Sequence, residues 1–141
     1  MVRINLINPK KLSDQHLIAE YNEILMLVGH LKKNGFKKEN CPEKYCLGKG
    51  HITFFKNKLA YLNKRHHLIK EEMKKRDFKT NKNLDLSEID KSLIKDWEPK
   101  KEDFKIIKQR LKEKINFKPR YYRYYSKNVE QKFLIGLLNL P

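Results

Sequence analysis

Glu23 stands beside an apolar stripe on a stretch whose periodicity predicts a helix. His16, Ala19, Glu20 and Glu23 share one face of it, being three, four and seven residues apart. A carboxylate at the edge of a core has its pKa raised and is suited to acid–base work. A lone surface glutamate or histidine on a helix is more often structural. The second feature is Arg120-Tyr121-Tyr122-Arg123-Tyr124-Tyr125-Ser126-Lys127, four tyrosines among three cations. Cations neutralise phosphates, and aromatic faces stack on exposed bases at about 1–3 kcal/mol per base. One or two of these rings are expected to pack on the core instead. A zinc site needs about four ligands, and Cys41 and Cys46 have no second Cys/His pair at finger spacing. They are expected to be reduced thiols.

The charge balance points the same way. In 141 residues there are 33 Lys+Arg against 17 Asp+Glu, a net charge of +16. A surplus of that size repels itself in the folded state and serves a polyanionic partner, nucleic acid before an anionic membrane surface. No run approaches the ~18–20 apolar residues of a membrane span, and the opening MVRINLINPKKL lacks the apolar segment of a secretory signal. The reading is a soluble, intracellular, monomeric protein with no membrane partner.

One all-α domain of about three main helices with basic loops is the fold these features require. The first ten residues read as extended. Ser13 or Asp14 caps a first helix with Leu17, Tyr21, Ile24, Val28 and Leu31 inward, stopping near Asn34-Gly35. Residues 35–50 read as a basic loop. A second helix is predicted from about Thr53 to Arg76, with Leu59, Leu62, Ile69 and Met73 inward. Residues 77–100 are polar and mixed, with a short helix around Leu86 to Ile94. A third helix carries Phe104, Ile107, Leu111 and Ile115, and Pro119 ends it.

Met1-Val2-Arg3-Ile4-Asn5-Leu6, Asp14-Gln15-His16-Leu17, Ala19-Glu20-Tyr21 and Glu23 open a pattern that continues through Leu47 to Phe55, Lys58-Leu59 and Lys64-Arg65. It resumes at Arg110 to Ile115 and at Pro119 to Lys127. In order and spacing these blocks resemble the pyrimidine-dimer DNA glycosylases of phages and algal viruses, the endonuclease V type. The resemblance implies a compact helical domain acting on double-stranded DNA that contains a lesion, with no metal or organic cofactor. It implies that the α-amine of Val2, freed when Met1 is removed, attacks C1′ of the sugar on the 5′ side of a pyrimidine dimer. An imine forms, β-elimination nicks the strand, and the essential carboxylate falls on Glu23. An α-amine suits this step, because its pKa of about 7.7–8.0 leaves far more neutral amine near pH 7 than a lysine at about 10.4. The DNA contacts implied are Arg3, Gln15, His16, Arg110, Lys114 and the segment Tyr121, Tyr122, Arg123, Tyr124 and Tyr125; Asn22 and Lys118 are added to the set.

The chain also departs from that pattern. Val2 stands where the best-known members have Thr, Asn22 and Met26 where arginines are usual, and Tyr121 in place of a Trp. Losing two phosphate-gripping charges opens a different lesion choice, such as abasic sites or oxidised purines, as an alternative. A basic nucleic-acid-binding protein without chemistry is another. Residues 1–127 form the domain that carries the resemblance, and 128–141 form a tail. In the tail Gln131, Leu134, Leu137 and Leu138 have the spacing of a peptide that docks on a sliding clamp. The preferred reading of the tail is a terminal turn packed on the core.

Overall fold

The computed structural model describes residues 3–141. Residues 3–8 are non-helical and lead into a single 3-10 turn, Pro9–Lys11. Helix α1 spans Asp14–Asn34. Ser13 Oγ accepts from the backbone N–H of His16, and Gly35 ends the helix at φ 74°, so both predicted punctuation marks act as caps. All five residues of the predicted stripe are buried.

The predicted second helix is two helices, α2 (His51–Phe55) and α3 (Leu59–Lys75). The break at 56–58 is stabilised by side chains. The Lys58 ammonium donates to the Phe54 carbonyl at 2.8 Å and lies over the Phe54 ring. Phe54 and Phe55 are then free to enter an aromatic cluster with Tyr45, Tyr61 and Trp97. Trp97 belongs to the polar 77–100 stretch, and the Lys95 carbonyl accepts from the N–H groups of Ala60 and Tyr61 in the first turn of α3. The short helix expected around Leu86 to Ile94 is only a 3-10 turn, Lys91–Leu93. The Asp85 and Asp90 carboxylates accept from the N–H groups of Ser87 and Ser92, and these local turns compete with a helix.

Helix α4 (Lys101–Phe117) buries Ile107, Leu111 and Ile115 as predicted, with Phe104 half-buried. A two-stranded antiparallel hairpin, β1 (Arg123–Tyr124) and β2 (Lys127–Asn128), follows where no strand was predicted. The tail is a helix, α5 (Gln131–Asn139), packed against α4. Leu134 and Leu138 are buried, and Gln131 Nε2 donates to Asn116 Oδ1 at 3.0 Å. Leu137 packs half-buried beside them. The tail is therefore not a free peptide, and docking on a clamp would first require unpacking the leucines that the spacing had offered as anchors.

Two buried arginines stitch the N-terminal segment to this frame. Arg65 of α3 forms a two-point ion pair with Glu20 of α1, at 2.7 and 3.0 Å. Its remaining nitrogen donates to the carbonyls of Leu6 and Ile7. Those carbonyls belong to a tight three-residue turn: the Ile7 N–H donates to the Asn5 carbonyl, and Leu6 sits at φ 62°. A leucine in that region is strained by about 1–3 kcal/mol, and such a turn persists only where the surroundings over-determine it. Arg76, at the end of α3, donates to Glu72, to Asp14 and to the carbonyls of Pro9, Lys10 and Leu12.

Candidate nucleic-acid interface and active site

One pocket of about 220 Å³ opens between the N-terminal segment, α1, α4 and the chain entering β1. Its wall includes Arg3, Gln15, His16, Arg110, Lys114, Tyr121 and Tyr122, all singled out from sequence, together with Asn5, Ala19 and Leu111. Four elements from two stretches far apart in sequence thus converge on one cationic recess. Burial lowers the pKa of Arg3, and the charge of Arg110 lowers it further. Lys114 is lowered by its own burial and by Arg3, Arg110 and Lys118. Like charges held together against repulsion are stabilised by an anion placed among them.

His16 forms part of the wall. Its ring stacks on Tyr122 at 4.6 Å, and Nδ1 is bonded to Ser13 Oγ. Its Nε2 is buried and has no hydrogen-bond partner among the described residues. Burial first, and Lys114 second, push the imidazole pKa down to about 4. His16 is therefore neutral at physiological pH, with one nitrogen left for a ligand.

Gln15, besides lining the recess, braces the hairpin. Its amide donates to the Tyr121 carbonyl and accepts from the Arg123 N–H, tying α1 to the hairpin. The hairpin turn needs that support. Tyr125 and Ser126 have φ of 51° and 65°, a turn that prefers Asn-Gly. The Asp14 carboxylate accepts from both of their N–H groups, and Arg76 holds Asp14 in place.

The four tyrosines sort by this geometry. Tyr121 is exposed, with Lys118 Nζ over its ring at 4.8 Å. Tyr122 is buried against His16. Tyr124 packs on Phe133, lies over the Arg76 guanidinium and donates its hydroxyl to the Lys10 carbonyl. Tyr125 donates its hydroxyl to Glu72 and also covers Arg76. Tyr124 and Tyr125 thus hold the frame, and the ring best placed to stack on a base is Tyr121. Arg123 is exposed and lines a second, open recess with Arg120 and Tyr121. Lys118 borders a third with Arg110, Lys114 and Tyr122.

Glu23 lies one helical turn beyond Ala19, half-buried, and burial raises its carboxyl above the usual carboxylate range. Asn22 and Met26 are exposed nearby on α1. Val2, the expected nucleophile, and Met1 lie outside the described residues. Sequence reading missed Glu20, Arg65, Glu72 and Arg76 as the groups that position the site. A charged residue on a helix looks solvated until its partner on another element is known. Among the described residues no three His, Cys, Asp or Glu side chains gather as a metal site, and no helix is long and apolar enough to cross a membrane.

Lys114 offers a direct test of the recess. Lys114→Ala is expected to weaken binding to damaged and undamaged duplex alike, and to reduce the slope of log affinity against log salt by about one. Fluorescence titration over a salt series measures both, and an unchanged slope removes Lys114 from the phosphate contacts.

A family model for pyrimidine dimer DNA glycosylase matches residues 1–86, which span the N-terminal segment, α1, α2 and α3 with their buried arginine ties. The cationic recess, the half-buried carboxylate and this match agree, and the chain belongs to the pyrimidine dimer DNA glycosylase family of DNA-repair enzymes.

Proposed function

We propose that this glycosylase acts on cyclobutane pyrimidine dimers in duplex DNA and also cleaves the strand, through an imine formed by the α-amine of Val2 once Met1 is removed. The observation that carries the reading is the seating of the N-terminal segment. The backbone from Ile4 to Leu12 is gripped by buried side chains at Ile4, Leu6, Ile7, Pro9, Lys10 and Leu12. A segment used only for packing has no need of so many directional ties, or of a strained turn at Leu6. A chain end that must deliver a nucleophile does, because misplacement by about 1 Å can cost roughly 100-fold in rate.

The proposed steps balance as follows. The neutral amine attacks C1′ of the damaged nucleotide, and the bond from C1′ to the base nitrogen breaks with its electron pair leaving on the base. One amine proton passes to the departed base nitrogen and the other to O4′ as the C1′–O4′ bond breaks, which leaves the imine at C1′. Removal of a proton from C2′ then expels the 3′ phosphate oxygen, and water later releases the protein. Glu23 has two parts in this. Its negative charge stabilises the positive charge that develops on the sugar, and its raised basicity suits it to accept the C2′ proton. Arg3, Arg110, Lys114 and Lys118 hold phosphates, and His16 Nε2 offers a neutral hydrogen-bonding position in the recess.

Borohydride trapping on abasic-site duplex tests the mechanism. The protein with a free Val2 amine is expected to form a covalent adduct, and protein acetylated at that amine is expected to form none. An equal yield from the blocked protein moves the nucleophile to a lysine. The exposed Asn22 and Met26, in place of the arginines that the family resemblance implies, favour a second reading in which abasic or oxidised sites are preferred over dimers. Rates on the three duplexes, compared side by side, decide between the two.

A further inference from the structure

Ile4 is held at both of its backbone polar groups by two buried rings. Its N–H donates to His51 Nε2 at 2.8 Å, and its carbonyl accepts from the Tyr45 hydroxyl at 3.2 Å. Neither ring has another task in the mechanism above. His51 opens α2, and its Nδ1 lies 2.8 Å from the Cys46 carbonyl. A carbonyl can only accept and a backbone N–H can only donate. The two bonds therefore fix the imidazole as the neutral ring with its proton on Nδ1 and its lone pair toward Ile4. The Tyr45 ring meets the His51 ring edge to face at 5.3 Å, and Phe55 packs on it in the same manner at 5.6 Å. His51 is fully buried, so it cannot turn away to another partner.

We propose that His51, braced by Tyr45, is a positioning residue for the N-terminal amine: it locks Ile4, two residues downstream of the nucleophile, and does so only as the neutral Nδ1-protonated ring. The inference rests on the imine reading above. The surroundings favour the neutral form. Burial pushes the His51 pKa below its usual 6.5, and Arg3 acts in the same direction, while the bond to Cys46 and the charge of Glu20 act against it. Glu20 is itself paired with Arg65, which limits its pull on His51. A protonated ring would set an N–H against the N–H of Ile4 and release it.

Two substitutions and two readouts test this. H51F keeps an aromatic ring and removes the acceptor. H51Q keeps an acceptor close to the place of Nε2 and removes the titration. Single-turnover borohydride trapping reports delivery of the amine, and equilibrium binding to uncleavable abasic duplex reports the DNA surface. H51F is expected to trap about 10- to 100-fold more slowly than wild type, with duplex affinity unchanged, and H51Q is expected to recover most of that rate. An H51F protein that traps at the wild-type rate overturns the proposal. So does an H51F protein that loses affinity and rate together, since that marks a general structural role. Should H51F fail to fold, H51Q decides alone: trapping within about 10-fold of the wild-type rate supports the proposal, and slower trapping overturns it. No adduct from the wild-type protein itself would overturn the imine reading and this inference with it, a result distinct from failure of the variants alone.

Discussion

Glu23→Gln is expected to slow strand cleavage by about 100- to 10,000-fold, the range that a positioned general base contributes. Glutamine has the shape of glutamate but cannot accept a proton from C2′ and carries no charge to balance a cationic sugar. The carboxylate is half-buried and its pKa is raised by that burial, so it holds a proton more readily than a solvated glutamate would. Affinity for lesion duplex should hold or rise, because an anion is removed from a protein of charge +16 that binds a polyanion. Single-turnover cleavage and equilibrium binding, measured on the same duplex, separate the two effects. A parallel fall in both would assign Glu23 to the frame instead of the chemistry.

Arg76→Met is expected to cost about 3–5 kcal/mol of stability, the usual penalty for breaking a buried ion pair from one side. The guanidinium is fully buried and is the common partner of Asp14 and Glu72. Methionine fills similar space but leaves two carboxylates facing each other without a cation. Three backbone carbonyls of the N-terminal segment also lose a donor. Denaturant unfolding gives the loss, and a change below about 1 kcal/mol would show that water and neighbouring lysines replace the arginine. Because Asp14 also accepts from the hairpin turn, Arg76→Met should loosen Tyr125 and Ser126 as well. Faster amide exchange at those two N–H groups would report it.

What could be read in advance follows from the range of each force. The stripes of α1 and α4 repeat within a few turns, and Ser13 and Gly35 act on the nearest turn, so both were legible. The break at 56–58 was not, because an apolar repeat runs across it from Phe55 to Leu59 and Leu62 without losing phase. Nothing in the sequence marked Arg65 or Arg76 as paired. Their partners Glu20 and Asp14 lie 45 and 62 positions away, and nothing local distinguishes a paired charge from a free one. The same limit applies to the tyrosines. Tyr121, Tyr124 and Tyr125 have similar sequence surroundings, and only the fold lays Tyr124 and Tyr125 over Arg76 and leaves Tyr121 the most exposed of the three. The recess draws its wall from residues 3–19 and 110–122, and the resemblance had named Arg3, Gln15, His16, Arg110 and Lys114 among them without showing that they share one cavity.

The long-range seat of the opening segment has a consequence for the order of events during synthesis. The ribosome makes residues 3–12 first, yet the groups that grip them arrive much later: His51 is 47 positions after Ile4, Arg76 is 64 after Leu12, and the Leu140 carbonyl that receives Lys11 is 129 after it. Contacts of such separation close late in folding. Through most of translation residues 3–12 therefore lack their seat, and the Met1 removal proposed above has its opportunity in that interval, before the fold confines the segment.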